Sequence, residues 1–210
     1  MLKVISYKDI SKNAGLFFGQ FQLRYREFVE RQNYAVRKID QMEFDQYDSL
    51  AAVYLVYSKD GKTVLGCSRL TPVSYGCMLN DHFPDCVIEK SLLEADGVWE
   101  GTRFCIDSRL PADDRLGICQ QICLGYIEYG LANGIDQIIG LMPTLVLRTV
   151  FERSGVVLDR LGPVTRIGAH SKIQAAAIRI SEEQRRRVME TTGIDRAFGD
   201  GTDIDRRHVA

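Results

Sequence analysis

Val98-Trp99-Glu100-Gly101-Thr102-Arg103-Phe104-Cys105-Ile106 is the stretch on which the fold turns. It reads as a β-strand, apolar at most positions, yet it holds a carboxylate, a guanidinium and the only tryptophan of the chain. Burying either ion alone costs several kcal/mol, so a core strand carrying both points to something polar bound beside it. Strand side chains alternate between faces, which would set Glu100 and Arg103 on opposite sides of the sheet. Gly101 offers a way out. A glycine inside a strand often marks a bulge, and one extra residue reverses the parity of everything downstream. The expectation is a bulge at Gly101, with both charges facing one cleft.

Outward from this strand the pattern alternates. Leu2 to Tyr7 reads as a strand and Gly15 to about Arg31 as a helix with aromatic residues at helical spacing. Asn33 to Asp48 is polar and irregular, and two strands, Ala51 to Tyr57 and Thr63 to Leu70, flank a hairpin signal at Ser58 to Lys62. Thr71 to Ala95, with Pro72, Gly76 and Pro84, reads mostly as loop. After the Val98 strand come a helix from Asp113 to Asn133 closed by Gly134, a strand from Ile135 to Leu141, and a helix from Thr144 to Ser154 ended by Gly155. Val156 to Arg160 and Ala175 to Ile180 read as strands, and Ser181-Glu182-Glu183-Gln184 opens a last helix that runs to Gly193. Strands that lead and then alternate with helices predict an α/β sandwich of three layers around a mixed sheet. A single domain over residues 1–194 is expected, with a polar, disordered tail over 195–210.

Composition narrows the function. The 210 residues are 45% hydrophobic and 26% charged, enough for one real core, and the formal net charge of -1 gives no global pull toward nucleic acid or membrane. Nowhere do about twenty apolar residues run together, so neither a signal peptide nor a membrane span is expected, and a cytoplasmic protein is. The six cysteines show no CxxC and no histidine-rich spacing, and the three histidines lie far apart, so no metal site is expected.

Charge recurs at core positions elsewhere. In the first helix Phe17, Phe21, Arg24 and Phe28 fall at i, i+4, i+7 and i+11, so Arg24 stands in the middle of an aromatic face. Glu43, Asp45 and Asp48 in the irregular segment supply acids able to pair with it. Arg69 ends a second strand. Together these predict a cleft carrying both signs.

Five blocks in this order resemble the acyl-homoserine lactone synthases, the LuxI-like autoinducer synthases that make bacterial quorum-sensing signals. They are Leu23-Arg24-Tyr25-Arg26-Glu27-Phe28-Val29, Glu43-Phe44-Asp45 with Asp48, Gly66-Cys67-Ser68-Arg69-Leu70, His82-Phe83-Pro84, and Glu100-Gly101-Thr102-Arg103-Phe104. The resemblance covers the chain to about residue 190. It implies a splayed sheet similar to that of the GCN5-related N-acetyltransferases, and Arg24, Phe28, Asp45, Asp48, Arg69, Glu100 and Arg103 as functional residues. It implies S-adenosylmethionine as a substrate rather than a cofactor, with no cofactor needed. The acyl group would come as a thioester on acyl carrier protein or on coenzyme A. The family usually has tryptophan where this chain has Tyr34.

On that reading Glu100 is the general base that frees the amine to attack the thioester, with Arg69 and Arg103 beside it. Arg24 and Arg103 hold the substrate carboxylate through charge-assisted hydrogen bonds, while Asp45 and Asp48 orient the arginines or meet the amine. Phe28, Tyr34, Phe83 and Trp99 line the S-adenosylmethionine site, the first two and Trp99 offering π faces to the sulfonium. Ile106, Met142, Thr144, Leu145, Val146, Leu147 and Phe151 are expected in the acyl pocket, and the resemblance associates Thr144 with 3-oxo-acyl chains. Residues 148 to 187 hold nine Arg or Lys against four Asp or Glu, a basic excess suited to an acidic carrier protein.

Two other readings compete. An ordinary N-acetyltransferase would grip the coenzyme A pyrophosphate with backbone amides at a helix start. Here Asp114-Arg115-Leu116-Gly117-Ile118-Cys119 puts a negative charge where that phosphate would lie. A non-catalytic ligand sensor is the other, and the presence of both Glu100 and Arg103 weighs against it.

Overall fold

The computed structural model describes residues 1–168, 171–199 and 204. Its strands are β1 (Leu2–Ser6), β2 (Lys38–Ile39), β3 (Met42–Glu43), β4 (Val53–Tyr57), β5 (Gly66–Pro72), β6 (Val98–Ile106), β7 (Gln137–Pro143), β8 (Leu158–Arg160), β9 (Thr165–Ile167) and β10 (Ser171–Arg179). The helices are α1 (Ile10–Arg24), α2 (Met78–His82), α3 (Ala112–Asn133), α4 (Thr144–Val146) and α5 (Glu182–Thr192). α1 runs on into a wider π-helical stretch, Tyr25–Arg31, and α4 into another, Leu147–Phe151.

One sheet has the order β1-β4-β5-β6-β7-β10-β8, with β9 also on β10, while β2 and β3 form a separate ribbon. Among the described strands only β6 and β7 pair in parallel. That pairing stops after three residues, at Glu100 opposite Ile139, while β7 stays with β10 as far as Pro143. The sheet therefore forks beyond Glu100, which is the splay expected of the fold. Gly101 and Gly140 allow the close approach at the fork, since a Cβ on Gly140 would lie 2.9 Å from the Gly101 carbonyl oxygen.

The bulge exists, but at another residue than the sequence suggested. Cys67 pairs with Cys105 and Arg69 with Thr102, so Arg103 and Phe104 together oppose Ser68. Arg103 itself takes the left-handed conformation, with φ 54°. Such a conformation costs a side-chain-bearing residue about 1–2 kcal/mol, so it persists only where its surroundings hold it. Gly101 is an ordinary strand position whose missing Cβ leaves room for Ile138 and Tyr126.

The helices cover both faces, giving three layers. On one face Leu16, Phe17, Phe21 and Leu23 of α1 pack on Ile5, Tyr54, Val56 and Cys67. On the other, Ile118, Ile122 and Tyr126 of α3 pack on Leu55, Leu70 and Ile138. Gly134 closes α3 in the left-handed conformation, and the Ser181 hydroxyl caps α5 by accepting from Gln184 N. Several boundaries differ from the sequence reading. α1 begins at Ile10, short helices punctuate residues 73–93, and β2, β3 and β9 have no counterpart in the sequence reading. The expected tail starts too early at 195, because Ala197 and Phe198 are buried in the core and Leu2 N donates to Ala197 O at 3.3 Å. The buried Phe198 ring and the backbone bond from Leu2 to Ala197 together hold this segment against β1. The rest of the predicted tail, residues 200–203 and 205–210, lies outside the described residues. No helix among the described residues is long and apolar enough to cross a membrane.

Candidate active site

Three arginines and three acids interlock on the α1 face of the sheet. Arg24 donates to both oxygens of Asp48, at 2.9 and 2.8 Å, and through Nε to Glu43 at 2.6 Å. Arg69 donates to both oxygens of Asp45, at 2.6 and 3.2 Å, to Thr102 Oγ1 at 2.9 Å, and lies 2.9 Å from Asp48 Oδ1. Arg103 reaches Glu43 at 2.9 Å and Asp45 at 2.6 Å. Tyr54, buried under α1, donates to Asp48 at 2.9 Å. Burial works to raise the Asp48 carboxyl, but the bonds and charge of Arg24 overcome it and hold the group well below the carboxylate range. Asp45 is lowered in the same way, with Arg69 opposing burial. The arginine–carboxylate bonds join two ions, which strengthens them.

This arrangement corrects one expected role. Arg24 is wholly buried, with its donors committed to Asp48, Glu43 and Gln20, so no exposed N–H remains to meet a substrate carboxylate. It is a post that fixes the acids. Arg103 keeps an edge on the cleft: its side chain is 14% exposed, and Nη1 has only the Met78 sulfur at 3.5 Å.

Glu100 stands outside the network on the same face. Its carboxylate accepts from Met78 N and Leu79 N, both at 2.8 Å. Burial pushes its pKa above the ordinary glutamate value, although these two backbone bonds favour the charged form. Directly across the strand pair lies Thr71, whose buried hydroxyl has no hydrogen-bond partner. Sequence reasoning missed Thr71, since only the register of β5 on β6 reveals it.

The aromatic residues divide. Phe28 stacks on Tyr34, with ring centroids 6.0 Å apart, and the Arg103 guanidinium lies 6.0 Å from the Phe28 ring. Tyr34 is 52% exposed, so that wall is open to a ligand. Trp99 does not join them. Alternation turns it to the opposite face, where it packs edge-on against Tyr129 of α3. Phe83 packs beside Leu79 and Leu93, in the cluster that carries the α2 amides.

Across the fork from Glu100 is a small apolar cavity of about 30 Å³. Met142, Leu147 and Phe151 line it as expected, joined by Gly101, Tyr126 and Ile138. Ile106, Thr144, Leu145 and Val146 do not line it: Leu145 is 65% exposed and Ile106 packs against Gly66. The run from Thr144 winds into wider π turns, so only part of it faces the fork. Among the described residues no group of His, Cys, Asp or Glu is arranged to hold a metal.

A charged cleft and an apolar cavity on two sides of one forked sheet define an α/β acyltransferase architecture. A protein from Lactobacillus plantarum, described as an N-acetyltransferase, shares it at the level of fold, with a TM-score of 0.56 over 86% of this chain and 16% identity. The autoinducer synthase family model matches residues 11–188, and the chain belongs to that family. An acyl-homoserine-lactone synthase of Rhizobium radiobacter is 34% identical over 151 residues, 70% of this chain and 71% of the relative. The structure of BjaI, a coenzyme A-dependent acyl-homoserine lactone synthase with S-adenosylmethionine and isopentyl-coenzyme A, superposes with a TM-score of 0.82. It is 26% identical and covers 93% of this chain and 90% of its own.

Proposed function

We propose that the chain acylates the amine of S-adenosylmethionine from an acyl thioester and closes the product to an acyl-homoserine lactone, releasing methylthioadenosine. The observation that carries this reading is Glu100, a carboxylate with raised pKa held beside a self-neutralised ion network, at the fork that leads to the apolar cavity. Arg24, Arg69 and Arg103 balance Glu43, Asp45 and Asp48, which leaves Glu100 as the net negative charge of the cleft. S-adenosylmethionine, with a sulfonium, an ammonium and a carboxylate, is a net cation that complements it.

Glu100 takes a proton from the ammonium, and the freed amine attacks the thioester carbonyl. The tetrahedral adduct collapses to an amide and the carrier thiol leaves. The substrate carboxylate then attacks the carbon next to sulfur, the C–S bond breaks, and methylthioadenosine departs as the lactone closes. That step needs mainly positioning. Arg103 Nη1 holds the substrate carboxylate, the Phe28 and Tyr34 rings face the sulfonium, and the Thr71 hydroxyl meets the reacting groups opposite Glu100. Arg69 and Arg24 act by fixing Asp45, Glu43 and Asp48.

The thioester donor in this reading is an acyl carrier protein, with acyl-coenzyme A as the second donor, and the reaction takes place in the cytoplasm without a cofactor. The first turn of α3 carries Asp113 and Asp114, with Lys59 paired to Asp114 at 3.2 Å, so it offers no net positive charge to the pyrophosphate of coenzyme A. Release of free carrier thiol, followed by chromatography with each donor, tests the acylation step. The expected result is thiol release that requires S-adenosylmethionine; release at the same rate without it would overturn the reading.

A further inference from the structure

We propose that Tyr126 decides which acyl chains this enzyme takes, favouring short chains that are unsubstituted or 3-hydroxylated over long or 3-oxo chains. The inference rests on the acyltransferase reading above. The cavity is small, about 30 Å³, against the roughly 10–15 Å³ that a single water-sized group needs. Tyr126 supplies the wall that limits it. Its ring lies parallel to Phe151, with centroids 6.3 Å apart and 10° between planes, and Phe104 packs against both. Packed against two rings and 2% exposed, it is held as a fixed wall of that cavity.

The hydroxyl adds a chemical filter. Ser68 Oγ lies 2.9 Å from the Thr102 carbonyl oxygen and 2.5 Å from the Tyr126 hydroxyl. A carbonyl can only accept, so the single Ser68 proton goes to Thr102 O, and the Ser68 to Tyr126 bond must use the tyrosine proton. What remains on the Tyr126 oxygen is lone pairs. That oxygen would lie 3.3 Å from a Cβ placed on Gly101, the neighbour of Glu100, so it stands at the end of the cavity nearest the base. The acyl carbons next to the thioester come there. A hydroxyl on them can donate to Tyr126, whereas a keto oxygen meets lone pairs or must break the Ser68 bond. Thr144, through which the family resemblance suggests 3-oxo chains, does not line the cavity.

The test compares lactone formation from butanoyl, hexanoyl, decanoyl, 3-hydroxyhexanoyl and 3-oxohexanoyl thioesters by the wild type, Tyr126→Phe and Tyr126→Leu. Wild type is expected to favour hexanoyl over decanoyl by about tenfold or more, the scale at which pockets reject surplus methylenes. Tyr126→Leu should raise the decanoyl to hexanoyl ratio. Tyr126→Phe keeps the ring and removes the lone pairs, so the length preference should persist while 3-oxohexanoyl gains about tenfold relative to hexanoyl. Equal wild-type rates for hexanoyl and decanoyl, or an unchanged 3-oxo ratio in Tyr126→Phe, would overturn the proposal; both are read without Tyr126→Leu, should it fail to fold. Absence of lactone and of methylthioadenosine from every thioester would instead overturn the activity on which it rests.

Discussion

Arg24 grips Asp48 through two parallel hydrogen bonds, Nη1 to Oδ1 at 2.9 Å and Nη2 to Oδ2 at 2.8 Å, and both side chains are shut away from solvent. Removing one member leaves the other buried and unpaired. Arg24→Ala should therefore destabilise the fold by about 3–5 kcal/mol, measured by urea unfolding. Arg24→Lys should recover little, since a point charge cannot span Asp48 and Glu43 as a planar fork does. A lysine variant as stable as wild type would show that the bidentate geometry contributes nothing.

The left-handed backbone at Arg103 makes a separate prediction. Arg103→Ala and Arg103→Gly both delete the bonds to Glu43 and Asp45, but only glycine is at ease with φ 54°. Arg103→Gly should be the more stable of the two by about 1 kcal/mol, with both inactive. The reverse order would place the bulge elsewhere.

These two arginines mark how far the sequence carries. Arg24 among Phe17, Phe21 and Phe28 was legible because helical spacing sets neighbours without knowledge of the rest of the fold. The acids to pair with it were legible too, as three carboxylates in one irregular segment. The bulge was expected from parity, yet assigned to Gly101, because sequence alone cannot show that Glu43 and Asp45 will hold a left-handed arginine in place. Trp99 is the strand neighbour of Glu100, so alternation turns it away from the cleft and onto Tyr129. Thr71, Ser68 and Tyr126 depend on register and on contacts between distant elements, as do the residues of the tail that dock on β1. No local pattern encodes those.

Acid should weaken the fold through Asp45 and Asp48, whereas through Glu100 it should favour the fold and slow turnover. The Asp45 and Asp48 carboxyls are lowered in the fold, so their stabilisation is complete above the unfolded value of 3.8 and is lost as pH falls through their depressed values. Glu100 is raised, so the folded state keeps its proton above 4.5, and stability from this group declines as pH rises through the raised value. Turnover needs Glu100 ionised and should climb over that same window. Rate measured across pH 4 to 8 and unfolding free energy measured from about pH 2 to 8 check both; a turnover limb with its midpoint at or below 4.5 would contradict the burial effect.

Thr71→Val removes a buried hydroxyl that has no partner in the protein. It should stabilise the fold by about 1 kcal/mol while lowering kcat/KM about tenfold. Unchanged kcat/KM would mean the hydroxyl does not meet the substrate.

Phe198→Ala tests the docking of the chain end against β1. Loss of this buried ring should cost about 3–5 kcal/mol, read as a lower urea midpoint at constant slope. A neutral result would restore the disordered tail from residue 195.

The central claim is that one site both acylates S-adenosylmethionine and closes the lactone, with Glu100 taking the proton. The most direct measurement is the molar ratio of acyl-homoserine lactone to methylthioadenosine by mass spectrometry, for wild type and Glu100→Gln. Wild type should release the two in equal amounts, and Glu100→Gln should lose about 10²–10⁴-fold in kcat with little change in affinity for S-adenosylmethionine. Acetylated amines without either product, or a Glu100→Gln rate equal to wild type, would contradict it.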